Sequence, residues 1–158
     1  MNRRSWIAVA VIVLVQVLAF SALTSVALRF PGMGAASFMM AMAVVCYASI
    51  RHPLATAIIL ALMNALMLTF YAQSMVLPTA LVLLLVTGII PYITQLSHGL
   101  SRLALATTYA GGCLLLSLGS WGSAMTGVGD LAGFVLCSLL AGLACSIGLI
   151  RKPASGHV

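Results

Sequence analysis

Six apolar stretches follow one another along the chain, at residues 6–28, 35–50, 54–72, 75–94, 103–121 and 131–150. Short polar breaks separate them: "RFPG" (29–32), "RHP" (51–53), "QS" (73–74), "SHGLSR" (97–102) and "GSAMTGVGD" (122–130). These breaks hold the Pro, Gly, Ser and Arg expected where regular structure is interrupted. The runs do not alternate apolar with polar, so they lack the two-faced pattern of a membrane-spanning barrel strand. A continuous apolar run satisfies its own backbone in lipid only as a helix. A spanning helix needs about 20 residues, and a shorter one is met by local thinning of the bilayer. The pattern predicts an all-α fold: a polytopic membrane helix bundle of six transmembrane helices, forming one domain over 1–158.

Composition sharpens this. The chain is 63% hydrophobic and 5% charged, whereas a soluble domain carries about a quarter charged residues. Its net charge of +6 is spread singly or in pairs between apolar runs. No basic patch interleaved with aromatics is present, so nucleic acid is not an expected partner. The charges read as topology signals. With six spans, Arg3, Arg4, Arg51, Arg102, Arg151 and Lys152 fall on one side and Arg29 alone on the other. The positive-inside rule then puts both termini in the cytoplasm. "NRRSW" resembles the start of a signal peptide and "SVA" (25–27) a cleavage site. The apolar core between them, about 19 residues, is longer than the 7–15 of a cleaved signal, so the segment is expected to remain as a spanning helix.

Candidate chemistry is sparse. "TGVGDLAG" (126–133) contains GxGD, letters shared with intramembrane aspartyl proteases, and Asp130 is the chain's one acidic residue. Aspartyl chemistry needs two carboxylates sharing a proton, so Asp130 is not expected to be catalytic. It precedes the sixth run, where an Asp caps free helix N–H groups and suits the positive helix end. Arg29, expected on the same face, is a candidate ion-pair partner. No enzyme is expected, no P-loop is present, and nothing in the pattern asks for a cofactor. Cys46, Cys113, Cys137 and Cys145 all fall inside apolar runs and read as buried small hydrophobes. Met39, Met42 and Cys46 share a helical face, yet no metal site is expected there because no charged mouth or His accompanies them.

Two amides stand out. Gln16 and Asn64 lie near the middle of their spans, where lipid offers no hydrogen-bond partner. They are expected to be either helix–helix glue or polar spots lining a cavity. Tyr71, seven residues after Asn64, shares its face, so Asn64, Tyr71 and Gln16 form the candidate ligand-binding set. Pro91 frees the carbonyl of Thr87 and predicts a kink near Thr87–Gly88. Ser138, Gly142 and Ser146 form a small-xxx-small ladder that permits close helix packing, and Cys137, Ala141 and Cys145 form a second.

The chain length, six spans, cytoplasmic termini and the stretch "RHPLATAIILALMNALM" (51–67), a basic turn followed by small residues, resemble two families. These are the substrate-binding S-components of energy-coupling-factor transporters and the rod-shape family MreD. The first span lacks the AxxxA motif common in S-components, and the third lacks the Asp frequent in the rod-shape family, so no functional residue carries over. The resemblance implies a bacterial cytoplasmic (inner) membrane location. The expected function is an integral membrane ligand-binding or transport module working with partner subunits, with a small molecule as candidate ligand. The alternative is a non-catalytic scaffold or regulatory subunit of a larger cell-envelope complex.

Overall fold

The computed structural model describes residues 3–27, 34–72, 75–119 and 128–149. They form six helices: α1 (Arg3–Ala27), α2 (Gly34–Arg51), α3 (Leu54–Ala72), α4 (Val76–Ile93), α5 (His98–Gly119) and α6 (Val128–Leu149). No strand occurs among the described residues. Leu54–Tyr71, Val76–Ile93 and Ala132–Leu149 are each long and apolar enough to cross a membrane, which is the signature of a membrane protein. Shorter apolar stretches occupy Val9–Ala22 and Ala36–Arg51.

Helix boundaries follow the apolar runs closely, with one instructive difference. The sequence places "SHGLSR" in a break, yet α5 already starts at His98, and the Ser101 N–H donates to the Ser97 carbonyl at 2.8 Å. Polar residues end a hydrophobic run without ending a helix, because helical backbone is satisfied whatever side chains it carries. At the break between α2 and α3, Pro53 stands just before the helix and accepts from the Thr56 and Ala57 N–H groups. Proline is tolerated here because its missing N–H is not needed at a helix start. Pro91 lies in the last turn of α4, which runs unbroken to Ile93.

The central element is α2, which touches all five other helices. Around it the others follow in the order α1, α3, α4, α5, α6, each against the next. The ring is open: α1 and α6 do not meet among the described residues. The core accordingly centres on α2, where Phe38, Ala41, Met42, Val45, Cys46 and Ala48 are buried. They pack with residues of the surrounding helices, among them Leu68, Leu83, Ile90, Leu105, Tyr109 and Leu116. The row Ala36, Met40, Ala43 and Tyr47 lies on the remaining side of α2 and is only partly covered. Its spacing of three to four residues puts it on one helix face.

Candidate functional site

The first candidate site lies where α1 meets α3. The two helices run side by side in the same direction, so residues 48 apart come level. Val9 packs in one cluster with Ala57 and Leu60. At mid-helix, Gln16 Nε2 donates to Asn64 Oδ1 at 2.7 Å, and both side chains are buried. Asn64 Nδ2 in turn donates to the Leu60 carbonyl one turn back, at 2.8 Å. One turn further along α1, Phe20 stacks on Tyr71 with ring centroids 5.6 Å apart. The structure thus brings the three candidate ligand residues onto one seam, with Gln16 and Asn64 partnered to each other. The sequence identifies both amides and their depth; it does not identify them as a pair. Phe20 is a residue the sequence reading missed, although its position four after Gln16 places it on the same face of α1.

Gln16 Oε1 is enclosed and has no hydrogen-bond partner. The buried Thr79 hydroxyl likewise has no partner, whereas Thr87, Ser138 and Ser146 donate to the carbonyls of Leu83, Val135 and Leu143 within their own helices. Tyr109 is a second residue passed over at sequence level. It is almost wholly buried, and its hydroxyl donates to the Met39 carbonyl, tying α5 to α2.

The second candidate site lies along α6. The ladder Ser138, Gly142, Ser146 is buried, and Gly142 shows why it is small. A Cβ at Gly142 would meet Ala106 Cα and O at 3.0 Å and Tyr109 Cβ at 3.1 Å. This ladder therefore lets α5 and α6 approach backbone to backbone. The second ladder divides. Ala141 and Cys145 pack against the core, whereas Cys137 is exposed and is not the buried hydrophobe expected from its apolar surroundings.

Cys137 belongs to a different row. With 3.6 residues per turn, Gly133, Cys137, Ala144 and Gly148 sit roughly 120–180° around α6 from Gly142, beyond the side that packs on the core. All four are exposed, and a Cβ at Gly133 or Gly148 would meet nothing within 4 Å. The large exposed residues Leu136, Leu140, Leu143 and Ile147 lie on the adjoining flank, with Leu140 bordering the small row directly. The small-residue flank adjoins the side of α6 where Phe134, Ala141 and Cys145 pack against the core.

The α6 backbone begins at Val128, so Asp130 falls within its first turn rather than before it. The Asp130 side chain and the whole of Arg29 lie outside the described residues. So do residues 28–33 and 120–127.

No family model matches the chain, and neither a curated protein nor a solved structure matches it.

Proposed function

We propose that the chain is a non-catalytic multi-pass subunit of a bacterial cytoplasmic membrane complex, with six spans and both termini in the cytoplasm. In this reading it scaffolds or regulates its complex by receiving a partner's transmembrane helix in the opening between α1 and α6. The observation that carries the reading is the incomplete ring around α2. In this reading the exposed residues Gly133, Cys137, Ala144 and Gly148 of α6 form one wall of the opening, and the partly covered α2 row Ala36, Met40, Ala43 and Tyr47 forms its floor. Small residues let a neighbouring backbone come close, which drives helix association where lipid removes the hydrophobic incentive. The flank of α6 that carries Leu136, Leu143 and Ile147 suits contact with lipid chains instead. The charge count of six basic residues to one supports the orientation.

A transport module built around Gln16, Asn64 and Tyr71 was the first expectation. In the structure these side chains engage Asn64, Gln16 and Phe20 inside the bundle, which favours the scaffold reading. Photo-crosslinking in cells tests it. A benzophenone amino acid replacing Gly133 or Ala144 should give an adduct of discrete mass with another membrane protein. The same probe at Leu136 or Ile147 should give none. Equal yields from the two flanks would sink the proposal, and an adduct of twice the chain's own mass would identify the occupant as a second copy.

A further inference from the structure

We propose that the α1–α3 seam holds a binding site for one neutral hydroxyl group, donated to Gln16 Oε1. The argument starts from the orientation of the two amides. Asn64 Nδ2 faces the Leu60 carbonyl, which can only accept. Turning the Asn64 amide over would set Oδ1 against that carbonyl, oxygen to oxygen. Asn64 Oδ1 is therefore the atom presented to Gln16, and Gln16 must answer with its Nε2. Turning Gln16 over would again oppose two acceptors. The Leu60 carbonyl thus fixes the whole chain of donors, and it leaves Gln16 Oε1 as an acceptor with no donor.

Gln16 is 97% buried, its relative exposure being 3%. A buried amide oxygen without a partner is rare in folded proteins and points to a bound donor. The surroundings define the donor's chemistry. Val9, Leu60, Ile12 and Val13 form the neighbouring cluster, and Phe20 follows one turn along α1. No charged side chain is buried among the described residues. A charged ligand would have no counter-charge there, so the donor is neutral. Each amide also keeps a second N–H, so the pair can both accept from and donate to the incoming group. A hydroxyl fills both roles. It can belong to a water molecule or to the polar end of a small apolar ligand, and this site is independent of the opening beside α6.

The test reads the Gln16 carbonyl directly. The chain has three glutamines, Gln16, Gln73 and Gln95. Replacing the other two, Gln73→Asn and Gln95→Asn, leaves Gln16 the only site for a glutamine labelled with carbon-13 at its side-chain carbonyl, and the seam is untouched. Infrared spectra are recorded on the full chain in synthetic phosphatidylcholine nanodiscs. The expected result is a labelled band at the lowered frequency of a hydrogen-bonded carbonyl. If the band stays low after detergent stripping but rises reversibly when the film is dried, the hydroxyl is water's. If stripping raises it, and 1-octanol lowers it again where octane does not, the hydroxyl belongs to a ligand. A band at the free-carbonyl frequency in every state overturns the proposal.

Discussion

Two helix pairs in this bundle are joined by different means. Between α5 and α6 the contact is steric. Gly142 lies against the Ala106 backbone so closely that even one methyl group would be in conflict. Between α1 and α3 the contact at mid-depth is polar, one amide pair with an acceptor to spare. The close pair gains dispersion along its length and leaves its serines satisfied within their own helix. The polar pair fixes depth and register, because an amide has one place to go, but it leaves Gln16 Oε1 without a donor from the protein itself. The helices differ in position as well: α5 is held by α2, α4 and α6, whereas among the described residues α1 touches only α2 and α3.

The comparison breaks most readily at Gly142. Gly142→Leu drives a branched side chain into backbone that cannot turn aside. It should lower stability by about 3 kcal/mol, the upper end of ordinary overpacking, as read by reversible unfolding under steric trapping. A variant as stable as the parent would show that α5 and α6 separate easily and that the steric description is wrong.

The next effect is at the amides. Asn64→Leu takes away the acceptor of Gln16 Nε2 and should cost about 1–3 kcal/mol, the penalty for a stranded buried polar group. Adding Gln16→Leu removes the stranded group and should restore most of that loss. The coupling between the two sites, from the double-mutant cycle, should then be at least as large as the loss restored, above the roughly 0.6 kcal/mol average for hydrogen bonds in membranes. If the double variant is no better than Asn64→Leu alone, the amides are not partners in the folded protein.

The smallest change sharpens the same seam. Tyr71→Phe keeps the ring that stacks on Phe20 and should move stability by less than about 0.5 kcal/mol. A larger loss would assign the Tyr71 hydroxyl a task that stacking does not explain.

How much of this was legible in the sequence depends on the kind of contact. The six helices follow from run lengths, and the start of α5 departs only because hydropathy records side chains while helix formation records backbone. The close-packing row was readable because Ser138, Gly142 and Ser146 repeat every four residues on one helix. The second row, through Cys137, was not separable from it, since only the placement of α5 and α2 shows which flank of α6 is covered. Depth singled out Gln16 and Asn64, but their pairing needs α1 to lie beside α3 rather than beside α2, its neighbour in sequence. Tyr109 carried no sequence signal, because its partner is a backbone carbonyl, a group every residue has.

The Gln16–Asn64 bond joins residues 48 apart in the chain, and that interval is also a span of time. A ribosome adds roughly 5–20 residues per second, so Asn64 is made several seconds after Gln16. If spans enter the bilayer in order, α1 arrives with its amide unmatched and must wait there through the synthesis of α2. The oxygen left over in the finished bond is the one that could keep its early donor throughout. A bound hydroxyl at Gln16 would then be a companion of the nascent chain, present before the bundle it ends up inside.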